Sequence, residues 1–298
     1  MFKTLEQKKC LFCLSIVGFF LIAPLPTSFA KQSESGLPFV FIDNIQPSLS
    51  AAEMEWIGEK IYQNECAANP KYLTYWGKGE EFPSFGIGHF IWYNNRAPAV
   101  FYETFPEMVR FVSQYQKPPN WLIKLSPFTA PWYSKKEFDQ AWSNREMSEL
   151  RDWLLATKGH QAQFIIQRVL QRVNGALLEL QKTAPHKAND YDNLIRQMLA
   201  FKEGRFALID YVNFKGIGNN KEQYQGEQWG LFSVLHEMKL SGLELSRILS
   251  ESEQKQLISR FVDAAKSRLA LRVKLSPASR SEERWLKGWF KRLDGYIE

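Results

Sequence analysis

The chain has 298 residues, of which 45% are hydrophobic and 23% are charged. This is the profile of an ordinary globular protein, and the length is sufficient for a sizeable core in one large domain or two small ones. The formal net charge is only +6 and no long block of like charges occurs, which argues against a nucleic-acid partner.

The first 30 residues have the pattern of a secretory signal peptide. Three lysines precede an apolar run from Leu11 to Pro24, and Ser28 and Ala30 occupy the small-residue positions of a cleavage site. We therefore predict a periplasmic or secreted protein, with an uncleaved N-terminal anchor as the alternative. Cleavage after Ala30 would lower the net charge to +4 and leave Cys66 as the only cysteine, so no intramolecular disulfide is expected.

The sequence after the signal peptide is mainly of helical type, with one interruption. Ser50-Ala51-Ala52-Glu53 is a capping-box pattern and opens a helix that reaches Glu65, whereas the Gly- and Pro-containing aromatic segment from Leu73 to Tyr93 predicts a short hairpin or small sheet. A second capping-box pattern, from Ser279 to Glu282, predicts the start of a final helix. Further helices are predicted over Phe101–Gln116, Ser134–Ala156, His160–Lys182, Tyr191–Lys202, Phe206–Phe214, Gln228–Met238, Leu243–Leu249 and Glu253–Leu271, with a proline-rich loop from Lys117 to Pro131.

Glu65 is the first candidate for a catalytic residue. Met54, Ile57 and Ile61 follow helical spacing, and Glu65 lies four residues after Ile61 on the same helix face. A carboxyl group on the core-facing side of a helix, in its last turn, is desolvated and faces the negative end of the helix dipole. Both effects favour the protonated acid, which is the form that a general acid requires. The alternative is a frayed helix end with a solvated Glu65.

A glutamate followed by a short glycine-containing hairpin and the run Gly86-Ile87-Gly88-His89 resembles the lysozyme-like superfamily, especially the phage-type lysozymes. The resemblance covers about thirty residues and implies that Glu65 is the general acid and that Ser84 replaces the threonine of that family. The chain is also similar to a group of secreted bacterial proteins that share "NEC", "GEEFPSFGIGHFIWY", "ALIDYVNFKG" and "YQGEQWG". That second resemblance implies no mechanism.

The second carboxylate departs from the phage pattern. The aspartate of the family, expected six positions before the threonine, corresponds to Lys78, and the nearest acids are Glu80 and Glu81. Ser84 keeps a hydroxyl group that can hold a water molecule. If Glu80 or Glu81 lies at an inverting distance of roughly 6.5–9.5 Å from Glu65, hydrolysis follows. Otherwise a lytic transglycosylase, which needs one glutamate, is favoured.

A sugar site is expected around the hairpin and a second, downstream cluster. Glycines let a backbone approach a sugar closely, aromatic rings can pack on pyranose faces, and the "ALIDYVNFKGIGNN" and "YQGEQWG" segments contain polar turns beside helices. Core packing is the alternative for the aromatic residues and a structural hydrogen bond is the alternative for the histidine. The predicted sugar-binding residues are Trp76, Gly86, Gly88, His89, Trp92, Tyr93, Asn213, Tyr224, Gln228 and Trp229.

Two other classes of protein remain open. Cys66 and His89 form the nucleophile and base of a cysteine hydrolase in the rival interpretation, although a helix end beside Glu65 opposes thiol activation. A non-catalytic cell-wall-binding protein on the same fold is the third. No metal site is expected, because the histidines form no pair with ligand spacing, and no cofactor is expected.

We therefore predict an α+β fold that is mainly α-helical, namely a lysozyme-like domain over residues 31–298 with a small β-hairpin or sheet and additional C-terminal helices from about residue 276. The predicted activity is cleavage of peptidoglycan by a muramidase or lytic transglycosylase, and the predicted partner is peptidoglycan or a related amino-sugar polymer. The final helix carries Trp285, Trp289 and Phe290 beside lysines and an arginine. It predicts docking onto the domain or, alternatively, weak contact with a membrane surface.

Overall fold

The computed structural model describes residues 49–99, 101–218, 223–240 and 248–297. The predicted signal peptide and most of the helix predicted over Leu243–Leu249 lie outside these residues. The described chain is mainly helical with small antiparallel sheets, which confirms the predicted α+β, mainly α-helical class. Within the described residues, no helix combines the length and the apolar character that a membrane span requires.

Several helices that follow one another in the chain pack side by side. Helix α6 packs against both α1 and α7, α7 packs against α8, and α10 packs against α9 and α11. The helices are α1 Ala51–Cys66, α2 Phe105–Val112, α3 Asn120–Ile123, α4 Lys135–Gln140, α5 Arg145–Ala156, α6 Lys158–Thr183, α7 Pro185–Leu199, α8 Lys202–Lys215, α9 Leu231–Leu240, α10 Glu251–Leu275 and α11 Glu283–Asp294.

A three-stranded antiparallel sheet follows α1, as the segment from Leu73 to Tyr93 predicted. Its strands are β1 (Thr74–Tyr75), β2 (Ser84–Phe85) and β3 (Phe90–Ile91), with β2 in the centre. A second hairpin, β4 (Gln223–Tyr224) and β5 (Glu227–Gln228), precedes α9 and was not predicted. It occupies the start of the segment that the sequence assigned to a helix beginning at Gln228.

The predicted helix over Ser134–Ala156 is wrong, because the chain forms α4 and α5 with a break between them. The Asn144 side chain accepts a hydrogen bond from Met147 N at 2.8 Å and caps a new helix there. The predicted helix over Phe101–Gln116 is shorter, since α2 begins at Phe105 with a proline in its first turn.

The capping box predicted at Ser279 to Glu282 is also wrong. Ser279 lies in a 3₁₀ turn, and Glu282 is the N-cap of α11 without a side-chain cap bond. The Glu282 carboxylate is instead buried and paired with Arg272 of α10 at 2.7 Å. The Glu282 side chain thus forms an ion pair with another helix in place of the predicted helix-cap hydrogen bond.

Candidate functional site

The candidate site begins where α1 ends. The N-cap side chain of Ser50 starts α1, whose apolar stripe is buried as predicted, and Glu65 and Cys66 are the last two residues of the helix. Ala67 and Ala68 both have positive φ, 49° and 52°, and turn the chain toward the sheet. Glu65 is only 2% exposed. The expected position of a buried carboxyl group in the last turn of this helix is therefore observed.

The glycines of the Gly86-Ile87-Gly88-His89 run serve packing against α6. Gly86 has φ +71°, and a Cβ atom there would lie 2.3 Å from the amide oxygen of Gln161. That buried oxygen accepts a hydrogen bond from Ile87 N at 3.0 Å, and a Cβ atom at Gly88 would meet the rings and methyl groups of Phe90 and Ile165. In the structure the two glycines allow close approach to α6. Their role in close approach to a sugar stays a prediction.

His89 connects the sheet to the end of α1. Its Nε2 lies 3.3 Å from the carbonyl oxygen of Glu65, which can only accept, so in the neutral ring this nitrogen carries the proton. Nδ1 then accepts from the hydroxyl group of Ser84 at 3.2 Å. The histidine has φ +45°, a conformation that costs energy in a non-glycine residue. His89 and Ser84 therefore fix the backbone of Glu65, in keeping with the structural alternative for this histidine.

The Glu65 carboxylate belongs to a buried ionic cluster formed by Glu65, Asp210, Asn213, Arg292 and Tyr296. Nη2 of Arg292 donates to Oε1 of Glu65 at 2.6 Å, and its Nε and Nη2 bind the two carboxylate oxygens of Asp210 at 2.7 Å. Asn213 donates to the same oxygen of Glu65 at 3.4 Å, and the hydroxyl of Tyr296 donates to Asp210 at 2.5 Å. The cluster joins α1, α8 and the C-terminal end of the chain.

Electrostatics in this cluster favour a charged arginine. Burial alone would lower the pKa of Arg292, yet the charges of Asp210 and Glu65 outweigh that effect and hold it well above its ordinary value. Burial and the Asp210 carboxylate together raise the pKa of Tyr296 well above its usual range. Arg292 is thus the charged partner that Glu65 and Asp210 share in a region with almost no solvent.

Lys215, the last residue of α8, is another buried ionisable residue. It is 5% exposed, and its Nζ has no hydrogen-bond partner among the described residues. Burial lowers the pKa of Lys215 well below the ordinary 10.5, and the cations Arg272 and Arg292 lower it further. The nearby carboxylates are already paired, Glu65 with Arg292 and Glu282 with Arg272. We therefore expect Lys215 to lose its proton at a lower pH than an exposed lysine does.

We expect Lys215→Met to raise the free energy of unfolding at pH 7 by about 1–3 kcal/mol, because it replaces an unsatisfied buried polar group by an apolar side chain of similar length. In the unfolded chain Lys215 keeps its proton up to about pH 10.5, whereas in the folded chain it releases the proton at a lower pH. Stability of the wild type therefore rises with pH in that window. The advantage of the variant should shrink as the pH rises toward 10.5, measured by urea unfolding.

Lys182→Met is the matched control for this experiment. Lys182 lies in the last turn of α6, and its side chain is 66% exposed beside Glu179. Its removal should change stability by less than about 0.5 kcal/mol without altering the pH slope. A loss of stability in Lys215→Met would show that Lys215 is a stabilising cation. Equal effects of the two substitutions would show that the burial of Lys215 does not destabilise the protein.

The candidates for the second carboxylate lie in the turn before β2. Glu80 is partly buried, and its carboxylate accepts from Gly77 N at 2.9 Å. Burial raises the pKa of Glu80, while the Gly77 N–H and the charge of His89 oppose the shift. A Cβ atom at Gly77 would lie 2.5 Å from this carboxylate, so the glycine makes room for it. Glu81 is exposed, so Glu80 is the more buried of the two acids.

The aromatic residues predicted to bind sugar belong mainly to the core. Trp92 has 0% exposure and packs against Phe85 and Phe105. Trp76 donates its indole N–H to the carbonyl of Glu80 at 2.7 Å and is 5% exposed, and the Tyr93 hydroxyl accepts from Phe101 N at 2.9 Å. The core-packing alternative describes their positions, because the rings pack on each other under the sheet.

The downstream cluster divides between two places. Asn213 reaches the Glu65 carboxyl group at 3.4 Å. Tyr224 instead donates to Glu282 at 2.8 Å, and the buried Trp229 lies under the guanidinium of Arg272 at 4.2 Å. The carbonyl oxygen of Gln228 accepts from Arg268 of α10. The second hairpin therefore packs on α10 and on the start of α11.

The sequence analysis did not identify Arg292 and Lys215 as members of the site. Arg292 lies three residues after Trp289 and one before Leu293, so helical spacing alone places it near the apolar face. Asp210 lies on an apolar helix and offered a similar signal. The sequence contains no such signal for Lys215, because a lysine before a glycine at a helix end is commonly exposed.

In comparisons with known proteins, no family model, no curated protein and no solved structure matches the chain. Among the described residues, no group of three or more histidine, cysteine, aspartate or glutamate side chains has the arrangement of a metal site.

Proposed function

We propose that this protein is a lysozyme-like glycosidase that cleaves peptidoglycan between N-acetylmuramic acid and N-acetylglucosamine, with Glu65 as the general acid. The observation that carries the proposal is the junction of α1 and the sheet. Glu65 lies in the last turn of a buried helix, and an antiparallel three-stranded sheet follows at once. The turn with Gly86 and His89 returns to the Glu65 backbone at 3.3 Å.

The chemistry assigned to this junction is proton transfer to the leaving oxygen of the glycosidic bond. Glu65 supplies the proton, Asn213 orients its Oε1, and the His89–Ser84 pair holds the backbone that carries it. Since the hydroxyl proton of Ser84 is directed at His89 Nδ1, Ser84 is left to accept a hydrogen bond from a water or a sugar hydroxyl. Glu80 is the candidate for the second carboxylate.

The products distinguish the two forms of this reaction. A muramidase adds water and leaves reducing ends, whereas a lytic transglycosylase uses the sugar's own hydroxyl and leaves anhydro ends. Mass spectrometry of muropeptides after digestion of purified sacculi separates them by the mass of one water. A digest with intact glycan strands, under conditions in which the protein is folded, would contradict both.

A non-catalytic wall-binding protein is a second candidate, and the shielding of Glu65 favours it. The carboxylate is 2% exposed and paired with an arginine at 2.6 Å, and a paired carboxylate is not a proton donor. Such a protein would bind sacculi in a pull-down assay without releasing muropeptides. The wild type and a Glu65→Gln variant would then behave alike in binding and in turbidity.

A cysteine hydrolase is a third candidate, supported by the distance of 4.0 Å between Cys66 Sγ and His89 Nε2. Two features oppose it. Cys66 has 0% exposure, and it lies at the C-terminal end of α1, where the helix dipole disfavours a thiolate.

We therefore expect Cys66→Ser to leave glycan cleavage largely intact and to cost no more than about 1–2 kcal/mol of stability, since a small buried thiol behaves mainly as a hydrophobic group. Muropeptide release and thermal unfolding measure the two effects. Cys66→Ala is the companion variant, because it also removes the thiol but adds no hydroxyl group to the core. If both variants abolished activity while folded, and peptides rather than glycans were cut, the cysteine hydrolase would replace the glycosidase.

A further inference from the structure

Helix α11 lies over the part of the candidate site that a substrate would have to reach. Its Arg292 binds the Glu65 carboxylate at 2.6 Å, and the ring centre of its Trp289 lies 3.5 Å from Nζ of Lys215. Residues three apart lie on one helix face. Glu65 and Lys215 are therefore covered together by one face of one helix, with exposures of 2% and 5%.

We propose that the surface beneath α11, formed by Glu65, Asp210, Asn213, Phe214 and Lys215, is a sugar-binding surface, and that α11 is an autoinhibitory cap that occupies it. The inference rests on the proposed glycosidase function, because it explains how a general acid can be buried in the resting protein. The ligand class is an amino-sugar chain with hydroxyl and acetamido groups.

The covered surface has the chemistry of a sugar site. Its carboxylates and amide can exchange hydrogen bonds with hydroxyl and acetamido groups, and the Phe214 ring offers an apolar face. In the capped state the planar guanidinium of Arg292 lies 4.2 Å from the centre of that ring. Arg292 and Trp289 thus place two flat groups where a flat-faced sugar would lie.

One polar group beneath the cap has no hydrogen-bond partner. Arg292 is paired with Glu65 and Asp210, and Arg272 is paired with Glu282. Lys215 lacks a hydrogen-bond acceptor among the described residues. A hydroxyl or acetamido oxygen of the sugar would supply an acceptor to Lys215, so the group that is unsatisfied in the capped state becomes satisfied in the bound state.

The attachment of α11 allows movement about one end. Glu282, just before the helix, is held by Arg272 and Tyr224, whereas the preceding turn Ala278–Arg280 contains no buried residue. The outer face carries the exposed Lys287 and Lys291. The start of α11 is therefore fixed. Release of its C-terminal half requires the loss of the Arg292 contacts, the Tyr296–Asp210 hydrogen bond and the Lys266–Asp294 ion pair.

Hydrogen–deuterium exchange of the complete mature protein tests the cap directly. A twelve-residue helix is marginal in water, so its amides exchange once it is undocked. We expect the amides of residues 286–294 to exchange at least tenfold faster than those of α1, and faster still with a tetrasaccharide of alternating N-acetylglucosamine and N-acetylmuramic acid. Exchange of α11 at the rate of α1, with and without the saccharide, would overturn the proposal.

A matched pair of leucine variants gives an independent test. Leu293 of α11 and Leu150 of α5 both have 0% exposure, so Leu293→Ala and Leu150→Ala remove the same side chain from equally buried sites. We expect Leu293→Ala to raise the initial rate of muropeptide release per folded molecule at least fivefold, and Leu150→Ala to leave it unchanged. A rate for Leu293→Ala at or below that of Leu150→Ala would contradict autoinhibition.

The two measurements separate failure of the cap from failure of the proposed function. Cleavage by the wild type together with slow, uniform exchange would overturn the cap alone. Separate opening of α11 without cleavage by any variant would overturn the glycosidase function, and the inhibitory role with it.

Discussion

Glu65→Gln is expected to lower the rate of glycan cleavage by about a hundredfold or more, as for removal of a general acid. Glutamine keeps the shape of the side chain and can still accept from Arg292 and Asn213, but it carries no transferable proton. The rate is measured as clearance of purified sacculi. Circular dichroism and urea unfolding establish that the variant remains folded, which is expected because Arg292 retains Asp210.

Glu59→Gln is the matched control for this experiment, because Glu59 lies on the same helix, is about half exposed and contacts Lys158 and Gln63. It should clear sacculi at the wild-type rate. A Glu65→Gln protein that also cleared them at that rate would remove Glu65 from the mechanism and leave the buried ionic cluster as a purely structural feature.

Arg292→Met is expected to lower the free energy of unfolding by about 3–5 kcal/mol, the range for removing one partner of a buried ion pair. The substitution leaves the carboxylates of Glu65 and Asp210 close together without their shared cation, at 2% and 0% exposure. Urea unfolding at pH 7 measures the loss.

Arg284→Met is the control, since Arg284 lies on the same helix with an exposed side chain over Trp285. Its effect should stay within about 0.5 kcal/mol. If Arg292→Met were no more destabilising than Arg284→Met, the buried ion pairs of Arg292 with Glu65 and Asp210 would not contribute to the stability of the fold.

Local patterns in the sequence were sufficient for much of the fold. The Ser50 cap and the spacing of Ile57, Ile61 and Glu65 predict α1 and the burial of its glutamate, because capping and helical periodicity depend on neighbours in the chain. The sheet after α1 also follows from local turn chemistry. The lysozyme-like assignment remains a proposal that rests on this junction.

Other local patterns had more than one solution. The second capping-box pattern failed because Glu282 finds a cation on α10, and the glycines before His89 serve contact with Gln161 on α6. The aromatic residues around them fit a core or a sugar site equally well by composition. Which one applies depends on what packs above them.

The sequence by itself determined the helical class of the protein, the buried stripe of α1 and the placement of Glu65 at its end. Only the tertiary structure decided what Glu65 meets. Arg292 lies 227 positions further along the chain, and no periodicity links residues so distant. The carboxylate, the arginine and the unsatisfied amine of Lys215 come together because α11 packs over α1 and α8, so the charge balance of the site is a property of that packing.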